Sequence, residues 1–156
     1  MNTEQLTLST AQEIYMYSAQ KAYEYLRLRM SKTRSEEVST TIAESIHNTL
    51  DAPKNRREVL LETLYKAHNW MTDMYKNDDY ERLEDKDDVS FITLNSDNDE
   101  YYTLQNKLLE LPVHKREMLD LQYYFNLTPQ EIGFITSKSE GEVRVSLLRT
   151  LRELRL

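Results

Sequence analysis

The 156 residues contain no cysteine, two glycines, three prolines and one tryptophan. Without cysteine there is no disulfide framework and no thiolate to bind a metal or attack a substrate. Two isolated glycines, Gly133 and Gly141, cannot build a phosphate-cradling loop. With so little proline and glycine, few residues interrupt helices, and good helix formers dominate. No run of apolar residues is long enough to cross a membrane, and the first residues lack a secretory-signal pattern. These shortages predict an all-α protein, soluble and cytoplasmic, with no membrane association. His47, His68 and His114 stand at no metal-ligand spacing, so no metal and no cofactor is expected. Carboxylates are many, but they lie on predicted helix surfaces or in a charged spacer. No catalytic residue and no enzymatic activity is expected.

Leu111 to Arg155 carries the clearest grammar. Leu111-Pro112 stops what precedes it, because proline cannot take an interior helix hydrogen bond. From Val113, Met118, Leu119, Leu121, Tyr124 and Phe125 recur at helical spacing. Asn126 tolerates the left-handed conformation in which helices commonly end. Thr128-Pro129-Gln130-Glu131 then starts a short helix: Thr128 caps, Pro129 fits the first position, and Glu131 closes a capping box. That helix carries Ile132, Phe134 and Ile135, and Gly133 admits a close neighbour. Thr136 to Lys138 is the turn. Ser139-Glu140-Gly141-Glu142 is a second capping box. The last helix sets Val143, Leu147, Leu148, Leu151 and Leu154 inward and Arg144, Arg149, Arg152 and Arg155 outward. Helix, turn, arginine-bearing helix describes either a DNA-reading helix-turn-helix or a plain three-helix hairpin with a solvated basic face.

The order LP-x-x-x-RE-x-L-x-L, then L-[ST]-x-x-EI-[AG], then S-x-G-x-V-[KR], then L-x-R-x-L-x-x-LR resembles region 4 of bacterial sigma factors, most closely the extracytoplasmic-function (ECF) group. Leu111, Pro112, Arg116, Glu117, Leu119, Leu121, Leu127, Thr128, Glu131, Ile132, Gly133, Ser139, Gly141, Val143, Arg144, Leu147, Arg149, Leu151, Leu154 and Arg155 carry it. The resemblance implies that Lys138, Arg144, Val145, Ser146 and Arg149 face the upstream promoter element. Ser146 stands where the family usually has arginine, and Glu140 and Glu142 bring acid to the helix start. Reading of that element by this helix is therefore expected to be weakened.

Three helices are expected upstream. Residues 1–8 read as a loose tail. Thr10 to Glu13 starts the first helix, whose apolar face is Ile14, Tyr17, Ala22, Tyr25, Leu26 and Met30. Ser31 to Arg34 breaks the run. Ser35-Glu36-Glu37 places charge at the start of a second helix, with Val38, Ile42, Ile46 and Leu50 as its stripe. Asp51-Ala52-Pro53 ends it. Arg56-Arg57 opens a third, with Leu60, Leu61, Leu64, Ala67, Met71 and Met74 inward. The segment AHNWMTDMYK resembles region 2 of the same group, with Ala67, Asn69 and Asp73 on the matching positions. By that resemblance the melted promoter element lies near Arg56, Arg57, Lys66, His68, Asn69, Trp70 and Lys76. Basic residues beside an aromatic suit stacking of a flipped base; packing Trp70 into the core is an equal reading.

Family members also carry an acidic run in region 2 that faces the clamp helices of the polymerase largest subunit. Glu37 to Glu44 aligns with it. Glu37 and Glu44 hold its ends, while Ser39, Thr40 and Thr41 replace much of its middle. The implied polymerase-binding set is Glu36, Glu37, Thr40, Thr41, Glu44 and His47. Three readings of that loss are open: Glu36 compensates in a slipped register, core polymerase is held mainly by other contacts, or phosphorylation of Ser39, Thr40 or Thr41 restores about −1.5 to −2 charges per site.

The net charge of −7 is unevenly spread. Residues 1–80 carry 10 basic and 12 acidic side chains, residues 81–100 carry 2 and 8, and residues 101–156 carry 8 and 7. The near-neutral C-terminal part predicts weak DNA affinity on its own, since phosphate neutralisation supplies much of such binding. The sequence thus divides into a region 2-like helical domain (1–76), an acidic linker (77–100) and a region 4-like helix-turn-helix domain (101–156). Val89 to Leu94 reads as a brief extended segment within the linker.

The resemblance implies a specificity subunit that binds core RNA polymerase and promoter DNA. An anti-sigma factor or a DNA-bound recruiting protein is a possible further partner. Two rivals remain open: a stand-alone helix-turn-helix regulator, and a sigma mimic that occupies polymerase without initiating.

Overall fold

The computed structural model describes residues 7–76, 107, 108 and 110–154. The described residues are mostly helical. Their helices fall into two compact units, divided between Ser90 and Phe91. The expected linker 77–100, with its Val89 to Leu94 segment, and the helical stretch expected through residues 101–106 lie outside the described residues. So do the side chain of Lys76 and the whole of Arg155.

The first unit packs three helices. Helix α1 (Ala11–Arg27) begins at Thr10, whose hydroxyl accepts from the Glu13 backbone N–H. It buries Ile14, Ser18, Ala22, Tyr25 and Leu26. Helix α2 (Lys32–Thr49) begins at Ser31, whose hydroxyl accepts from the Arg34 N–H. The start is therefore Ser31 and not Ser35, and the segment expected to break the chain is the first turn. An N-cap hydroxyl supplies a partner to an otherwise orphaned N–H. Ser35, Glu36 and Glu37 consequently lie past the first turn, and Ser35 is buried. Val38, Ile42 and Ile46 form the expected stripe, joined by Ala43. Helix α3 (Arg56–Lys76) buries Val59, Leu60, Thr63, Leu64, Ala67 and Met71.

Two short pieces were not visible in the sequence pattern. Strand β1 (Thr7–Leu8) pairs antiparallel with strand β2 (Lys54–Asn55), with Thr7 opposite Asn55 and Leu8 opposite Lys54. Residues 7 and 8 are therefore no loose tail, and Leu8 is buried. Arg29 is also buried. Its guanidinium lies 4.2 Å from the Tyr25 ring centroid and donates to the Tyr25 carbonyl at 3.0 Å. A buried cation requires such partners.

In the second unit, α4 (Val113–Leu119) runs into one wide turn of π-helix, Asp120–Tyr124. The Phe125 N–H reaches back five residues to the Asp120 carbonyl at 3.1 Å. Asn126, at φ 57°, then reverses the chain in the left-handed conformation that its side chain tolerates. Helix α5 (Pro129–Thr136) and helix α6 (Glu140–Glu153) each open on a complete capping box, at Thr128/Glu131 and Ser139/Glu142. The core is Met118, Leu119, Leu121, Phe125, Leu127, Ile132, Ile135, Val143 and Leu147. Arg116 and Glu117 are buried with Asp120. The RE pair of the sequence motif is thus part of the interior of this unit.

Candidate nucleic-acid and polymerase surfaces

Three surfaces gather sequence-predicted residues, two in the first unit and one in the second. On α2, Glu36, Glu37, Thr40, Thr41, Glu44 and His47 are all exposed. At about 100° per residue they fall within one face. Val38, Ile42, Ala43 and Ile46 turn the other way into the core. The structure therefore brings the whole predicted polymerase-facing set together. Glu37 is shared with Arg34, whose Nη1 lies 3.4 Å from its Oε2. His47 stands edge-on to Tyr15 of α1, centroids 6.0 Å apart.

Ser39 does not belong to that surface. It is 5% exposed and its hydroxyl donates to the Glu36 carbonyl at 3.1 Å. A kinase cannot reach it, so the expectation of a modification site at Ser39 is corrected. Thr40 and Thr41 are exposed, and they donate to the Glu36 and Glu37 carbonyls at 3.0 and 3.3 Å.

The residues expected at a melted DNA strand do not form one patch. Arg56 and Arg57 open α3, whereas Lys66, Asn69 and Trp70 lie ten to fourteen residues along it. At 1.5 Å per residue that separates them by roughly 15–20 Å. His68 is two residues from both Lys66 and Trp70, so it points about 160° away from each. Its carbonyl accepts from the Thr72 hydroxyl at 2.9 Å. Arg56 is half-buried beneath α1, its guanidinium 5.1 Å from the Tyr17 ring centroid. Burial raises the Tyr17 pKa above the usual phenol value, and the nearby Arg56 charge opposes that rise.

What does assemble is Lys66, Asn69 and Trp70 on one flank of α3, with a residue that the sequence pattern missed. Arg34 of α2 holds its guanidinium 5.6 Å from the Trp70 ring centroid. Trp70 is half-buried and Asn69 exposed, so the ring is neither core nor free. The two residues are 36 positions apart, and no local pattern signals their contact.

In the second unit the turn Ser137–Lys138 joins α5 to α6 tightly. Ser137 sits at φ 60°, and the Lys138 N–H donates to the Gly133 carbonyl at 3.0 Å. A Cβ at Gly133 would collide with the Lys138 carbonyl oxygen. The glycine is thus required by the turn itself, rather than by a neighbouring helix as expected. Lys138, Arg144, Val145 and Arg149 are exposed. Ser146 is half-buried at the edge of the packed side, away from the middle of the outward face.

Leu148 and Leu151, expected inward, are 51% and 41% exposed. The packed side of α6 is Val143, Leu147 and Thr150, and residues one position on from these are rotated about 100° out of it. Glu142 is held below the usual carboxylate pKa, first by the Ser139 backbone N–H that it accepts. It is thus engaged in capping. Lys115 of α4 pairs with Glu153 at the other end of α6.

Among the described residues no His, Cys, Asp or Glu cluster has the make-up of a metal site, and no helix is long and apolar enough to cross a membrane. Searches against protein-family models, curated proteins and solved structures return no match to this chain.

Proposed function

We propose that the chain is an RNA polymerase sigma factor of the ECF type, with two small helical domains joined by an acidic linker. It binds core polymerase and directs it to promoters without catalysis of its own, in the cytoplasm. The observation that carries this reading is the second unit. Two capping boxes eleven residues apart open two helices across a glycine-dependent turn, and the second helix turns Arg144, Arg149 and Arg152 to solvent. That is the arrangement a groove-reading helix needs. The acidic face of α2 adds to it, since Glu36, Glu37 and Glu44 share one exposed side suited to a basic clamp. A net acidic subunit is compatible with this role, because polymerase supplies most of the surface that neutralises DNA.

In this scheme the Arg34–Trp70 patch with Lys66 and Asn69 meets the melted strand. The exposed Thr40 and Thr41 accept phosphate where added charge strengthens docking. The test is co-migration of the purified chain with core RNA polymerase from its source, followed by transcription from a genomic library. Binding with initiation is the expected result. Binding without initiation points to a sigma mimic, or to a missing phosphate or recruiting protein. A folded chain that ignores polymerase overturns the reading and favours a stand-alone regulator.

A further inference from the structure

Among the described residues six large apolar side chains are exposed, and three of them are on α6: Val145, Leu148 and Leu151. Val145 is 48% exposed and Leu148 is 51% exposed. Three residues apart on a helix, they are neighbours on one face. Arg144, Arg149 and Arg152 are exposed on the same side, so an apolar strip is interleaved with guanidinium groups. Of the carboxylates of α6, only Glu140 engages a guanidinium of this strip. Glu140 lies 3.5 Å from Arg144, Glu142 accepts from the Ser139 N–H, and Glu153 pairs with Lys115. Arg149 and Arg152 have no ion-pair partner among the described residues.

An outward strip of this make-up fits a surface that is anionic at its margins and methyl-bearing at its centre. Duplex DNA offers both in the major groove: phosphates along the rims, and the thymine 5-methyl as the apolar feature among its base edges. Val145 is in the second turn of α6, in the N-terminal part with which helix-turn-helix proteins reach bases, and Leu148 is one turn further along the same face. Leu151 lies nearer the C-terminus, beyond that reach. Lys138 is exposed just before the helix begins. We propose that α6 reads thymine 5-methyl groups in the upstream promoter element through Val145 and Leu148, with Arg144, Arg149 and Lys138 holding the register on phosphates. This rests on the sigma-factor reading above, and it replaces a hydrogen-bonding code by an apolar one.

The test uses the full chain bound to core RNA polymerase and promoter fragments that this holoenzyme selects from a genomic library. Thymines of the selected upstream element are replaced by deoxyuridine, which removes the methyl group alone. Each critical replacement is expected to weaken binding about threefold to fivefold, the worth of burying one methyl-sized group. The Val145→Ala and Leu148→Ala chains should bind thymine and deoxyuridine DNA alike, while Leu151→Ala keeps the preference. All three side chains are exposed, so thermal melting should be unchanged, which separates loss of reading from loss of fold. Selected elements that lack thymine, or indifference to the methyl with initiation intact, would overturn the inference and leave the sigma reading standing. If Leu148→Ala also lost polymerase, the face would belong to a protein partner, and the inference would fall. A chain that never joins polymerase overturns both.

Discussion

Gly133 and Gly141 lie eight residues apart and have opposite requirements. At Gly133 a side chain meets the backbone carbonyl of Lys138, which cannot yield without opening the turn. Gly133→Ala is expected to cost about 1–3 kcal/mol, the usual range for forcing atoms into a packed site. Gly141 is in the first turn of α6, and a Cβ there meets nothing closer than the Ser139 hydroxyl at 4.0 Å. Gly141→Ala is expected to stabilise by roughly 0.5–1 kcal/mol, because alanine loses less backbone freedom on entering a helix. Thermal melts of the two variants check both signs. Ser139 and Glu142 add a pH dependence. Glu142 has a folded pKa below its ordinary value of 4.5, because it accepts from the Ser139 N–H. Its contribution is therefore present above the unfolded pKa and lost as pH falls through the folded one. The difference in melting temperature between the parent chain and Glu142→Gln should be constant near neutrality and vanish in acid. A difference that grew on acidification would contradict the cap. Both boxes were legible in the sequence because a cap is a four-residue signal. The direction of Leu148 was not, since a leucine beside Leu147 reads as core until the packed side of the helix is known.

At the scale of the helix, α2 separates an exposed face from a packed one. Thr40 and Thr41 are on the exposed face with Glu36, Glu37 and Glu44, while Ser39 is one step around the helix among buried residues. Thr40→Glu with Thr41→Glu is expected to leave the fold intact and to tighten binding to core polymerase, more so at low salt where charge complementarity acts over longer distances. Ser39→Asp places a carboxylate in the core and is expected to destabilise by several kcal/mol. Native gel shifts with polymerase and thermal melts of the same proteins separate the two effects. Tighter binding by Ser39→Asp alone would contradict the assignment of faces. The apolar stripe of α2 was readable because Val38, Ile42 and Ile46 recur every four residues. Its start was not, because Ser31 and Ser35 are both plausible caps one turn apart. Only the bond from the Arg34 N–H to the Ser31 hydroxyl decides between them.

At the scale of the whole molecule, charge and aromatic placement divide the work. The chain carries a net −7, and residues 101–156 are close to neutral. Alone, it should show little affinity for duplex DNA at physiological salt, because few phosphates are neutralised. On the proposed sigma-factor reading, polymerase would supply that term and this chain would contribute contacts made by particular side chains. Trp70 is the test of such a contact. Its ring is half-buried, with the Arg34 guanidinium 5.6 Å from the centroid. A base unstacked from a melted duplex can stack on such a ring, a contribution of about 1–3 kcal/mol per base. Trp70→Ala should therefore reduce open-complex formation roughly 5- to 150-fold. It should leave co-migration with polymerase unchanged, because the α2 face proposed to dock on it is untouched. Trp70→Phe keeps a stacking surface and should restore most of the loss. Permanganate reactivity of unpaired thymines reports the open complex directly. If Trp70→Ala opened promoters normally, Trp70 and Arg34 would be a structural pair holding α2 to α3. Equal losses in the Ala and Phe variants, together with a lowered melting temperature, would lead to the same conclusion.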